Sequence, residues 1–278
     1  MGHRGLAVLI VLAWLATAPA SLADVSDSTN WAGYAIQRPG VAFHTANASW
    51  TQPAPTCRPG SSSYSSFWVG LGGFSSGSNA LEQIGTEADC TRSGRVSSSA
   101  WYETVPAPSY EVFRQVRPGD QMAASVTVSG HATTLVLRNL SRGWTFTERV
   151  RIELVDVSSA EWIAEAPSDC GSNSCQTLPL ANFGSTTFTS LSATTVRGHR
   201  GSLSDPRWQL SKILLRPSGR QFAVNGRLAG GATPSGLASG GSSFGVSYEL
   251  VSLQLPGTAR DIWVRAGRVV KPAPAAGP

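Results

Sequence analysis

The stretch FWVGLGG, residues 67–73, alternates on a two-residue period. Successive side chains of an extended chain point to opposite faces. Phe67, Val69 and Leu71 then share one apolar face, a candidate core. Trp68, Gly70 and Gly72 share the other, where a large ring sits beside two positions without side chains. Glycine inside a strand often marks a place where a ligand or another backbone comes close. Three further segments repeat this mixture. LEQIGTE (81–87) puts Gln83 and Glu87 on a face with Leu81 and Gly85. AWYETVP (100–106) puts Trp101 with Glu103, and AEWIAE (160–165) puts Glu161, Ile163 and Glu165 opposite Trp162 and Ala164. If the four lie in one sheet, they form a grooved face suited to an extended ligand. The same pattern also fits an antiparallel sheet with one solvated face.

Elsewhere helical periodicity is nearly absent, and short alternating segments recur between turn residues. Strands are expected near 31–36, 42–51, 65–71, 79–87, 98–105, 110–116, 121–128, 132–139, 145–154, 159–165, 184–195, 207–215 and 243–254. Arg117-Pro118-Gly119-Asp120, Ser141-Arg142-Gly143 and the Gly/Ser-rich run from Gly230 to Gly241 read as turns. Charged residues are only 14% of the chain and hydrophobic ones 41%. That balance fits a β-rich globular protein and excludes a disordered one. Many strands without a βαβ rhythm predict an antiparallel sandwich of two sheets.

The first residues, MGHRGLAVLIVLAWLATAPASLA, have a short basic start, an apolar run and small-residue cleavage sites after Ala20 or Ala23. They read as a secretory signal peptide over residues 1–23. Residues 24–256 then form one domain, and 257–278 a C-terminal extension whose Pro/Ala-rich end is disordered. No later run is apolar for 18 residues, so no membrane association is expected after cleavage. The net charge is +5, with the arginines dispersed and no cluster for nucleic acid. Secretion makes disulfides the default for Cys57, Cys90, Cys170 and Cys175. Three connectivities are open; the short loop between Cys170 and Cys175 can close on itself, and the expectation is Cys170–Cys175 with Cys57–Cys90. A zinc site is disfavoured, since no Cys-x-x-Cys occurs and His44, His131 and His199 are far apart.

Several stretches, in order, resemble the eqolisins, the glutamic peptidases. They are STNWAGY (28–34), ASWTQP (48–53), FWVGL (67–71), LEQIGTE, AWYETVP, the PGDQM and NLSRG turns, AEWIAE, and LANFGSTTFT (180–189). Each is short, and their specificity lies in the shared order over roughly residues 28 to 254. The resemblance implies an all-β, concanavalin-like antiparallel β-sandwich (a jelly roll of two packed sheets) with its active site on the concave face. It implies Glu165 as catalytic glutamate and Gln83 as catalytic glutamine. It also implies Trp68, Trp101, Glu103, Glu87 and Gly72 as residues lining the cleft. This chain departs from the family where Glu87 replaces an aspartate, Gly72 stands where fungal members carry an aspartate, and Thr104 and Val105 replace aromatic residues.

The residue types suit peptide hydrolysis, which needs a base for water, a donor for the oxyanion and an acid for the amine. A glutamate can take the proton and return it. A glutamine amide donates a hydrogen bond without titrating, so it avoids the repulsion of paired carboxylates. No cofactor or metal is needed, and the expected partner is an extended polypeptide bound by a monomer. Glu161, on the same face as Glu165, either tunes it or faces solvent.

Three rivals remain. Glu161 and Glu165 have the spacing of a glycoside hydrolase pair, but Ile163 stands between them. Gly73 to Gly77 fits Gly-x-Ser-x-Gly, a motif that needs a strand–turn–helix context. A lectin-like module could bind peptide or sugar in the same groove without cleaving it.

Overall fold

The computed structural model describes residues 23–75, 77–170, 175–218 and 228–253. The expected signal peptide, apart from Ala23, and the expected C-terminal extension lie outside the described residues. Among those described there is no α-helix; β-strands dominate, with one short 3-10 turn at Ser239–Gly241.

One layer runs in the order β16 (Gln209–Leu215), β2 (Trp31–Gln37), β11 (Ser159–Glu165), β4 (Ser66–Gly72), β5 (Leu81–Cys90), β6 (Val96–Val105) and β7 (Tyr110–Val112). The second runs β10 (Trp144–Arg151), β9 (Ala132–Asn139), β8 (Gln121–Ser129), β3 (Phe43–Thr51), β14 (Ser185–Thr195), β18 (Phe244–Ser252) and β17 (Leu228–Pro234). The layers face each other through β3 and β8 against β4, β5 and β11. They join at a corner, where β17 pairs along its length with β18 but meets β16 only at Leu215 and Ala232. The expected antiparallel sandwich is therefore present, with one exception: β1 (Asp24–Ser28) runs parallel to β16.

The core is the face that alternation assigned. Phe67, Val69 and Leu71 are fully buried and pack with Trp50, Phe188 and Phe244. Each such side chain contributes roughly 1.5–3 kcal/mol through burial. Two core tryptophans also satisfy their ring N–H groups across the layers, as buried indoles must. Trp162 donates to the Asn47 carbonyl at 2.8 Å, and Trp50 donates to the Thr86 hydroxyl at 3.1 Å.

The two turn motifs have a structural purpose. Asp120 accepts from the Arg142 Nε at 2.6 Å, the Asn139 amide at 2.7 Å and the Arg117 backbone N–H at 2.9 Å. Burial opposes its ionisation, but these donors outweigh burial and hold its carboxyl below the ordinary aspartate range.

Several expectations need correction. The Gly/Ser-rich run does not begin as a turn: Leu228–Pro234 is strand β17. A Cβ on Gly230 would meet the Tyr248 ring at 2.7 Å, and one on Gly231 the Leu215 carbonyl at 2.6 Å. These glycines are required by close packing inside a sheet. The strands expected at 110–116 and 145–154 end early, at Val112 and Arg151. The strands β1, β12 (Ser168–Cys170), β13 (Cys175–Thr177) and β15 (Arg200–Gly201) were not anticipated. Both disulfides pair as expected, Cys57–Cys90 and Cys170–Cys175, the second closing the β12–β13 ribbon.

Candidate active site

The register of the first sheet sorts its outer face into rows. Ala35, Glu161, Gly70, Gln83 and Glu103 lie side by side across β2, β11, β4, β5 and β6. Two residues further along, Gly33, Ile163, Trp68, Gly85 and Trp101 form the next row. Beyond that come Trp31, Glu165, Ser66, Glu87 and Ser99. The sheet thus brings Gln83, Glu165, Trp68, Trp101, Glu103 and Glu87 onto one face, as alternation required. Gln83 and Glu165 stand on either side of the tryptophan row.

Glu165 ends β11, and three donors converge on it. Trp68 Nε1 donates to Oε2 at 2.7 Å and Asn30 Nδ2 donates to Oε1 at 3.1 Å, while Trp31 supplies a third side-chain hydrogen bond. Asn30 is itself oriented: the Ser28 hydroxyl donates to its Oδ1 at 3.1 Å, and its carbonyl accepts from the Ala166 N–H at 2.8 Å. Trp31 and Trp68 meet edge to face, with ring centroids 5.0 Å apart. Burial raises the Glu165 carboxyl, the three donors pull it down, and the charge of Glu87 raises it again; it settles at about 7. Such a group gains and loses a proton near neutrality.

Gln83 lies two strands away. Its Nε2 donates to Glu103 Oε2 at 2.6 Å. A carboxylate only accepts, so this contact fixes which end of the amide faces Glu103 and leaves the second amide hydrogen for another acceptor. Trp68 links the two halves of the site. Its indole nitrogen reaches Glu165, while the far edge of its ring covers Gly70 in the row of Gln83; a Cβ on Gly70 would meet Trp68 Cζ3 at 2.9 Å. Gly85 is equally constrained, since a Cβ there would strike the Phe67 carbonyl at 2.3 Å. Glu87 accepts from the Ser99 hydroxyl at 2.8 Å. Trp101 is 8% exposed and lies beside Gly85.

Gly72 is a different matter. Its φ is +84°, a left-handed conformation that favours glycine. The Asp156 backbone carbonyl would lie 2.5 Å from a Cβ added there. No side chain fits, and the Asp156 carboxylate sits at this end of β4 instead, bound by the Ser78 hydroxyl and the Gly73 N–H.

Glu161 does not face solvent. It is 0% exposed, in the middle of the sheet. Burial raises its carboxyl well above the ordinary range. The Ser159 hydroxyl lowers it, although neither carboxylate oxygen makes a hydrogen bond of normal geometry. The charges of Asp156 and Glu82 raise it further. Ile163 lies between it and Glu165 on their shared face. The Gly-x-Ser-x-Gly run leads from β4 to strand β5, and no helix follows it. Among the described residues no group of three or more His, Cys, Asp or Glu is set to hold a metal ion.

Asn30 and Trp31 are site residues that sequence reasoning did not assign. They lie in the STNWAGY motif, which was the available signal, but their partner Glu165 is 135 residues from Asn30 in the chain.

Comparison with known proteins shows the family. The profile of the Peptidase A4 family matches residues 29–212, more than half of the chain. Scytalido-glutamic peptidase bound to a transition state analog inhibitor is similar in structure, with a TM-score of 0.61 and 25% identity. That match covers 80% of this chain and 98% of the other. SCP-B, an eqolisin solved with the tripeptide Ala-Ile-His, is similar with a TM-score of 0.57 and 25% identity, again over 80% and 98% of the two chains. No curated protein matches. The chain belongs to the peptidase A4 family, the eqolisins, and is a hydrolase of the glutamic endopeptidase type that acts on polypeptides.

Proposed function

We propose that Glu165 and Gln83 form the catalytic dyad of this endopeptidase. The supporting observation is a carboxylate held by three donors and an amide held by a carboxylate, on one face of one sheet. The scissile carbonyl and the attacking water lie between the two side chains. Glu165, ionised, takes a proton from the water as its oxygen attacks the carbonyl carbon. The spare Gln83 N–H donates to the oxygen that becomes negative. The C–N bond then breaks as Glu165 returns its proton to the departing amine. Glu103 positions Gln83; Trp68, Trp31 and Asn30 position Glu165; Trp101 and Glu87 flank the bound chain. The substrate lies extended along the groove. The protein acts outside the cell as a monomer spanning residues 24–256 after loss of its signal peptide. The disulfides fit that setting, and among the described residues no helix is long and apolar enough to cross a membrane.

Incubation of the mature protein with an unfolded protein, from about pH 2 to 8, is expected to yield internal cleavage products. Absence of products at every pH would sink the proposal and leave a binding module. Release of reducing sugar from a β-glucan would favour the glycosidase reading. Glu87→Gln offers a finer test. Removing that charge removes one cause of the raised Glu165 carboxyl, so the base ionises at lower pH. The acidic limb of kcat/KM is expected to move down, with kcat on the plateau little changed. A limb that stays in place would disconnect Glu87 from the dyad.

A further inference from the structure

Ser28 ends β1, and the chain then turns through Thr29 and Asn30 into β2. Its side chain is fully buried, and its hydroxyl is used to capacity. A hydroxyl has one hydrogen to give and two lone pairs with which to accept. The hydrogen goes to Asn30 Oδ1 at 3.1 Å. The oxygen accepts from the backbone N–H groups of Trp31 at 3.1 Å and Asn30 at 3.3 Å. The donated hydrogen decides which way the Asn30 amide points. With Oδ1 held by Ser28, Nδ2 is left to face Glu165 Oε1 at 3.1 Å. We propose that Ser28 is a positioning residue for the catalytic base, acting through the Asn30 amide, and that the docking of β1 on β16 keeps it in place; the proposal rests on the dyad reading above.

Strand β16 clamps both flanks of that turn. On one flank Ser28 lies opposite Leu215 at the end of the parallel ladder, and its carbonyl accepts from the Arg216 N–H at 2.7 Å. On the other, Gly33 of β2 lies opposite Ile213. Little else holds β1. Asp24 and Val25 are exposed, and none of the five residues of DVSDS belongs to either hydrophobic cluster. Backbone pairing with β16 is therefore its main restraint, and an element with so few buried apolar contacts opens at low cost. A weakly anchored edge strand thus sets the orientation of a donor to the base.

The direction of the effect follows from the hydrogen bonding. An amide N–H favours an ionised carboxylate, whereas an amide oxygen can pair only with the protonated form. Without the Ser28 hydroxyl, nothing at Oδ1 fixes the orientation of the Asn30 amide. Glu165 then loses a donor that opposes burial, and its carboxyl rises. The acidic limb of kcat/KM moves up, opposite to the movement expected for Glu87→Gln.

The test measures kcat/KM against pH, on one peptide substrate, for the mature wild type, Ser28→Ala, Asn30→Ala, their double variant and Val25→Pro/Ser26→Pro. Ser28→Ala removes only the hydroxyl. Its acidic limb is expected to move up by roughly one pH unit, the weight of one hydrogen bond to a charged group, which is about a tenfold loss of kcat/KM below the limb. Plateau kcat is expected to change much less. Asn30→Ala is expected to shift the limb at least as far, and the double variant no further than Asn30→Ala alone, because the two residues act in one chain. Proline cannot donate to a ladder, so the pair at 25 and 26 undocks β1 with Ser28 itself unchanged. That variant is expected to move the limb the same way, and it carries the test should Ser28→Ala fail to fold. A limb that stays in place in Ser28→Ala, or shifts that add in the double variant, overturns the positioning role and leaves the dyad reading standing. An unmoved limb in the proline variant overturns the part given to β1. No cleavage by the wild type at any pH, or full activity in Glu165→Gln, overturns the dyad reading and this proposal with it.

Discussion

Glu165→Gln is expected to reduce kcat/KM for peptide hydrolysis by roughly 10²–10⁴-fold, the usual contribution of a positioned acid–base group. The amide keeps the size and one acceptor oxygen of the carboxylate, so Trp68 or Asn30 retains a partner and the fold survives. What disappears is the proton acceptor. Gln83→Ala removes the oxyanion donor and is expected to cost roughly 10²–10³-fold. The double variant should lose much less than the product of the two, because the groups act in one transition state. Steady-state kinetics on an internally quenched peptide measures all three, and unchanged unfolding temperatures exclude trivial loss of structure. Full activity in Glu165→Gln would show that another residue is the base. The wild-type profile carries its own prediction. Glu165 must be ionised to accept a proton, and its carboxyl is raised to about 7. The acidic limb of kcat/KM is therefore expected near neutrality. A limb several units lower would mean that the three donors outweigh burial in the working enzyme.

Much of this site could be read from alternation. In FWVGLGG one residue in two faces the core, and the others carry the ring and the gaps that the site requires. The same rule placed Gln83, Glu87, Glu103 and Glu165 on one face. Alternation could not separate Glu161 from Glu165, since both obey it equally. The difference is one of environment: Glu165 ends its strand among Asn30, Trp31 and Trp68, whereas Glu161 lies mid-sheet without a donor of normal geometry. Local chain cannot report on that, because the donors come from β2, its preceding turn and β4. The strand β17 was hidden for a related reason. Gly230 and Gly231 are compositional turn signals, yet here they admit Tyr248 and Val251 of the neighbouring strand. The strand β1, DVSDS, has no apolar alternation at all and is held by its parallel pairing with β16. The Gly72 departure was visible in the sequence, but its consequence was not, because Asp156 reaches it from a distant loop.

Glu82 leads to the largest expected effect on stability. It shares a face with Ile84, Thr86 and Ala88, the face turned towards the second sheet. It is 0% exposed, and neither carboxylate oxygen has a hydrogen-bond partner of normal geometry, its own backbone N–H giving only a weak contact. A buried charge without a partner is costly, so the group holds its proton instead. Burial first, then the charge of Asp156, raises its carboxyl from 4.5 to about 8, against a smaller opposing hydrogen bond from its own backbone. The folded chain therefore binds a proton that the unfolded chain releases above about pH 4.5. Stability is fully present below that point, falls as pH rises, and levels off once pH has passed about 8. The loss from this one group is at most on the order of 4–5 kcal/mol. Glu161 is raised by burial too, and acts in the same direction. Asp120 and Asp156, whose carboxyls are lowered, act in the opposite direction and weaken the fold as pH drops below their ordinary range. Maximum stability is expected in mildly acid solution. Glu82→Gln supplies a neutral side chain of the same shape. Urea unfolding at pH 4.5 should barely distinguish it from the wild type, whereas at pH 8 the variant should be more stable by several kcal/mol. Equal pH slopes for the two proteins would mean that Glu82 ionises in the folded state at little cost, and that the acid preference of the fold arises elsewhere.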